Sequence, residues 1–117
     1  PVGDDEALSI FRAQLQSEGV QTQGLRLVPG AHPSVSVILV DAAGERTIVS
    51  RRSDAGMRAG ALDLTCLDGA DVLLTDPRFV DWAHTALIAA RARGLLSILD
   101  ADVAPPKDLR RLVGLAQ

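Results

Sequence analysis

From Asp71 onward the sequence alternates short apolar runs with helical stripes, and this alternation constrains the fold more than any other feature. Asp71-Val72-Leu73-Leu74-Thr75 and Leu95-Leu96-Ser97-Ile98-Leu99 read as two short buried strands. Between them Phe79, Trp82, Ala83, Ala86, Leu87 and Ala90 recur at the 3.6-residue period of a helix that runs to Arg93 and stops at Gly94. Pro105 and Pro106 then open a last helix carrying Leu109, Leu112 and Val113. Strand, helix, strand, helix with short links is a βαβα unit, whose strands run parallel with a right-handed crossover. The fold class is therefore α/β.

The first half has a different grammar. Ala7, Leu8, Phe11 and Leu15 mark an amphipathic helix that Asp4 or Asp5 can cap and Gly19 can end. Residues 25–30 show no helical period. Ser34-Val35-Ser36-Val37-Ile38-Leu39-Val40 and Arg46-Thr47-Ile48-Val49-Ser50 are β-rich, and Asp41-Ala42-Ala43-Gly44 separates them, which predicts an antiparallel hairpin with a four-residue loop. With few helices to cover it, this hairpin is expected to project and to need a ligand or partner surface for its apolar residues. After the polar loop at 51–56, residues 61–67 suit a short helix closed by Gly69. These shifts divide the chain into a core helix and connection at 1–23, lid strands at 24–52 and a βαβα segment at 53–117.

Composition bounds the function. The 117 residues are 47% hydrophobic, enough for a packed core, and 12 Lys and Arg against 15 Asp and Glu leave a net charge of −3. That balance provides no basic field for nucleic acid or an acidic membrane surface, and no apolar run reaches the roughly 18 to 20 residues of a membrane span. Cys66 is the single cysteine, which excludes an internal disulfide and suits a reducing, cytoplasmic setting; its apolar neighbours mark it as buried rather than nucleophilic. His32 and His84 have no ligand spacing. Neither a phosphate-binding P-loop nor a dinucleotide glycine motif occurs.

Chemistry is expected where parallel strands end, because loops and helix N-termini gather there. One strand end carries Thr75-Asp76-Pro77-Arg78 and the other Asp100-Ala101-Asp102, so parallel pairing puts Asp76, Arg78, Asp100 and Asp102 around one crevice. A guanidinium facing acids suits phosphate with Mg²⁺, since Arg clamps phosphoryl oxygens and carboxylates hold the ion. Helix capping by Asp76 and Asp102 is the simpler use of the same residues, and the two uses can coexist. Asp100-Ala101-Asp102-Val103 after an apolar strand also resembles the first motif of haloacid-dehalogenase-type phosphatases, with Asp100 as nucleophile and Asp102 as acid/base.

Three stretches, in order, resemble the PfkB or ribokinase-like carbohydrate kinases. Val2-Gly3-Asp4-Asp5, with the following helix and Gly19-Val20-Gln21-Thr22, is similar to one family signature. Residues 29–41 with Gly44-Glu45-Arg46-Thr47-Ile48 are similar to the family's lid hairpin. Leu67-Asp68-Gly69-Ala70-Asp71-Val72-Leu73-Leu74, then Ala90-Arg91-Ala92-Arg93-Gly94 before Ile98-Leu99-Asp100, match the strand and helix that follow it.

The resemblance, nearest to ketohexokinase-like members, implies a partial ribokinase-like, Rossmann-type α/β core with a projecting β-hairpin lid. It implies transfer of the γ-phosphoryl group of ATP to a sugar hydroxyl with Mg²⁺, and a homodimer formed through the lid. Arg78, Asp76 and Asp100 then become substrate- or phosphate-binding residues and Asp102 a metal ligand. The family's general base stands in a Gly-Ala-Gly-Asp motif that these 117 residues do not contain, so no catalytic residue is assigned within them. The chain is expected to be an internal fragment of such a kinase. Two other functions fit the same residues: a non-catalytic sugar- or nucleotide-binding α/β domain, and an Mg²⁺-dependent phosphatase using Asp100 and Asp102.

Overall fold

A computed structural model describes residues 1–3, 6–55, 60–101 and 104–116. The chain divides into two compact units, Pro1–Gly60 and Ala61–Gln117.

In the first unit, β1 (Val2–Gly3) and β2 (Leu27–Val28) pair in parallel, with α1 (Glu6–Ser17) lying between them in sequence. A two-residue strand carries no alternation, which is why residues 25–30 read only as non-helical. Helix α1 stops where Gly19 adopts φ 76°, a conformation that side chains resist. The Gly19 N–H then reaches the Gln16 carbonyl (3.0 Å) and the Val20 N–H the Leu15 carbonyl (2.9 Å). Gly3 is buried, and a Cβ on it would meet the Ala31 carbonyl oxygen and lie 2.9 Å from the His32 carbonyl carbon. The backbone after β2 thus passes directly over β1.

The hairpin forms as expected from β3 (Val35–Val40) and β4 (Arg46–Arg51), antiparallel with Val37 opposite Val49 and Ile38 opposite Ile48. Its loop is tighter than the sequence suggested. Asp41 still pairs through its N–H with the Glu45 carbonyl (3.0 Å), and the Gly44 N–H closes a turn onto the Asp41 carbonyl (3.1 Å). The Asp41 Oδ1 accepts from the Ala43 and Glu45 N–H groups at 2.8 and 2.9 Å, and Gly44 takes φ 84°. This is a three-residue hairpin loop with a left-handed glycine, whose twist matches that of the strands. All twelve strand residues are exposed.

In the second unit, the helix expected over 61–67 shrinks to one 3₁₀ turn at Thr65–Leu67. Asp63 explains this: its Oδ1 accepts from both the N–H (2.9 Å) and the hydroxyl (2.8 Å) of Thr65, a local bond that competes with helix formation. Strand β5 (Val72–Thr75) leads through a 3₁₀ turn at Pro77–Phe79 into α2 (Val80–Ala92), then β6 (Leu96–Leu99) and α3 (Pro106–Leu112). Strands β5 and β6 are parallel, with Leu73 opposite Ser97 and Thr75 opposite Leu99. Helix α2 ends by the same device as α1: Gly94 at φ 71°, with the Leu95 N–H on the Ala90 carbonyl (2.9 Å).

Ala83, Leu87 and Leu112 form the core of this unit, with Leu73, Val80 and Leu99 packed against them. The two strands are buried on one face only, which corrects the expectation of buried strands. Leu73, Thr75, Ser97 and Leu99 turn inward, while Val72, Leu74, Leu96 and Ile98 are 45–69% exposed on the other face. Arg111 of α3 donates to the Asp81 carboxylate at 2.8 Å, tying α3 to the first turn of α2. No described helix is long and apolar enough to cross a membrane.

Candidate functional site

The ends of β5 and β6 bring two of the expected acidic residues to one edge. Register places Thr75 beside Leu99, and the Asp100 N–H continues the ladder onto the Thr75 carbonyl at 2.9 Å. Asp76 and Asp100 therefore leave neighbouring strands at the same carboxyl-terminal end, where an α/β sheet places its ligands. Both are exposed, as is Arg78.

Asp76 also caps the turn after it. Its backbone is extended at φ −126°, and its Oδ1 accepts from the Arg78 N–H at 2.8 Å, with Pro77 in the first position of the turn. That bond fixes the start of the segment carrying Arg78 and leaves the second carboxylate oxygen outside it. Among the described residues, neither the Arg78 guanidinium nor the Asp100 carboxylate has a hydrogen-bond or ion-pair partner. The edge thus carries two carboxylates, with a five-donor guanidinium on the turn that follows one of them, a set suited to phosphoryl oxygens and a hard divalent cation.

Asp102 lies outside the described residues. The N-cap of α3 is Pro105, with no side-chain capping bond. Among the described residues no group of three His, Cys, Asp or Glu side chains converges as a metal cage.

Cys66, expected to be buried, is exposed. The 3₁₀ turn gives the buried position to Leu67 and leaves the Cys66 Sγ donating to the Asp63 carbonyl at 3.3 Å. Together with Leu64, Phe79 and Trp82 it lines an apolar hollow of about 200 Å³ next to Thr75 and Asp76. Trp82 is half-buried, its ring tilted 52° to Phe79 with centroids 6.2 Å apart, which fits its expected packing role.

Two features escaped the sequence pattern. Ser97 is a hydroxyl buried among apolar residues on the inward face of β6. Ser34 and Ser53 bond across the root of the hairpin, where the Ser53 N–H donates to the Ser34 Oγ at 2.9 Å. Their separation of nineteen positions hides the pair from any local motif.

The family model described as pfkB family carbohydrate kinase matches residues 1–117. Among solved structures, the chain is similar to a protein provisionally named a ribokinase from Agrobacterium tumefaciens, at 35% identity and a TM-score of 0.85, covering 98% of this chain and 38% of that one. It shares its fold with a fructokinase from Xylella fastidiosa (18% identity, TM-score 0.74, covering 98% and 41%). The same holds for a nucleoside kinase from Burkholderia thailandensis solved in complex with inosine (15% identity, TM-score 0.73, covering 98% and 39%). The chain spans about two fifths of the length of these structures. A parallel βαβα unit, an exposed hairpin and a match over every residue lead to one assignment: this chain belongs to the pfkB family of carbohydrate kinases and has its ribokinase-like α/β fold.

Proposed function

We propose that the protein transfers the γ-phosphoryl group of ATP to a sugar hydroxyl, with the ends of β5 and β6 facing the nucleotide phosphates and hairpin β3–β4 closing over the sugar. The observation that carries this reading is the shared edge of Asp76, Arg78 and Asp100 in a chain that matches the kinase family throughout.

The donor set fits a nucleotide with Mg²⁺. Arg78 is free to meet phosphoryl oxygens through paired N–H groups, and its segment is already oriented by the cap bond to Asp76. Asp76 and Asp100 would repel a bare polyphosphate, so their carboxylates belong on the cation or on its waters. A cation carried on phosphates needs only one or two protein carboxylates. When bound, ATP supplies the phosphoryl group and Mg²⁺ neutralises its charge. Asp102, outside the described residues, stands as a further ligand for the ion.

The hairpin offers two apolar faces. Val35, Val37, Leu39 and Val49 lie on one; Ile38, Val40 and Ile48 lie on the other; all are 47–62% exposed. A soluble monomer rarely leaves both faces of a ribbon bare. On the present reading one face closes over the sugar, excluding water and limiting ATP hydrolysis, and the other meets a second copy in a homodimer. ATP-dependent chemistry and a single free cysteine suit a cytoplasmic location.

The test is sugar-dependent ADP release by the protein as its gene encodes it, with Mg²⁺ and with ribose, fructose and a nucleoside as acceptors. Release matched mole for mole by a phosphorylated acceptor is expected. Binding of acceptors without ADP release would overturn the reading in favour of a binding module. A phosphoaspartate trapped at Asp100 from a sugar phosphate would overturn it in favour of a phosphatase. The 117 residues alone, which contain no Gly-Ala-Gly-Asp, are expected to phosphorylate no acceptor.

A further inference from the structure

We infer that Ser53 is a positioning residue: it clasps the two roots of hairpin β3–β4 so that they move as one hinge and hold the hairpin in register with its substrate. The substrate half of this inference rests on the kinase reading above, while the clasp itself rests on geometry alone.

The backbone ladder of the hairpin ends at Val35 opposite Arg51. Continued two steps, the register brings Pro33 opposite Ser53, and proline has no N–H to donate. Side chains take over at that point. The Ser53 N–H donates to the Ser34 Oγ at 2.9 Å, and the Ser53 Oγ donates to the His32 carbonyl at 2.5 Å. The same Oγ accepts from the Ala55 N–H at 3.0 Å. One residue thus bonds the segment that enters β3 at two places and also fixes the segment that leaves β4.

Both ends of the clasp are anchored. Ala31, next to His32, is buried, and the 31–32 backbone passes over Gly3 closely enough that a Cβ there would collide with it. Ala55 is fully buried. The hairpin beyond has all of its residues exposed, so among the described residues its orientation depends on this root. Hydroxyl bonds at a partly exposed root break and reform more readily than a backbone ladder, which suits a hinge. A root tied at one residue swings both strands together without loss of the Val37–Val49 and Ile38–Ile48 pairing.

Ser53→Ala, Ser34→Ala, their double variant and Ser53→Thr are compared by hydrogen exchange and by kinetics on the encoded protein. Expected for Ser53→Ala are exchange at least about tenfold faster at the Ala55 amide, unchanged exchange at Val37 and Val49, and a sugar KM raised about three- to tenfold. The ATP KM stays as in the parent, Ser53→Thr restores both readouts, and the double variant falls short of the sum of the singles. Unchanged Ala55 exchange, or strictly additive singles, would overturn the clasp whether or not the protein phosphorylates a sugar. Faster Ala55 exchange with an unchanged sugar KM, or an equal rise in both KM values, would overturn the positioning role. Absence of sugar phosphorylation would overturn the kinase reading and the positioning role with it, and leave the clasp to be decided by exchange.

Discussion

Hairpin β3–β4 and the parallel pair β5–β6 are built from the same kinds of residue, valine, leucine, isoleucine and threonine, and they end in opposite states of burial. Every residue of the hairpin is exposed, whereas β5 and β6 turn Leu73, Thr75, Ser97 and Leu99 inward. The cause is the connection. An antiparallel pair closes through a few residues, here a turn on Gly44, and brings no cover with it. A parallel pair needs a crossover, and α2, which supplies it, buries Ala83 and Leu87 against the strands it joins. Stability therefore collects in the βαβα unit. The hairpin is left with both of its faces exposed.

Substitutions at the two places should separate these roles. The largest loss is expected for Leu87→Ala, which hollows a fully buried position and should cost about 2–5 kcal/mol in urea unfolding. Ile38→Ala on the hairpin should cost no more than about 0.5 kcal/mol. Equal losses would mean that the hairpin is packed in solution. Next is Gly3→Ala, which drives a methyl group into the backbone of residues 31–32 and should cost about 1–3 kcal/mol by the same measurement. Asp76→Ala should cost about 1 kcal/mol through loss of the cap to Arg78, and Asp76→Asn only a few tenths because an amide oxygen still accepts. Both should raise the ATP KM if the charge serves the nucleotide; a normal KM in Asp76→Asn would reduce Asp76 to a cap. The smallest effect is expected for Ser36→Ala, which removes the 2.8 Å hydroxyl pair with Ser50 and should cost about 0.2–1 kcal/mol.

Much of this comparison was legible in the sequence, for identifiable reasons. Gly19 and Gly94 mark helix ends because only a residue without Cβ takes their positive φ cheaply, and both stand where a helical stripe stops. Two β-rich runs on either side of an Asp-Ala-Ala-Gly turn announced the hairpin. Asp76 and Asp100 could be put on one edge because a strand–helix–strand connection fixes parallel pairing. The misses share a physical cause, which is that local pattern does not record the partner. Strands of two residues have no period. Apolar strands read the same whether one face is covered or both. Cys66 looked buried by its neighbours, and one carboxylate, Asp63, reshaped the turn that exposes it. The serines at the hairpin root meet across nineteen positions, and Pro33, which makes them necessary, signals only that a ladder must end.

The central claim is that the β5–β6 edge faces the phosphates of a nucleotide while the hairpin faces the sugar, and Arg78→Ala tests it most directly because the guanidinium carries no structural bond among the described residues. Steady-state kinetics of the encoded protein should show an ATP KM raised about tenfold or more, with the sugar KM and Tm unchanged. An ATP KM equal to that of the parent protein would contradict the claim.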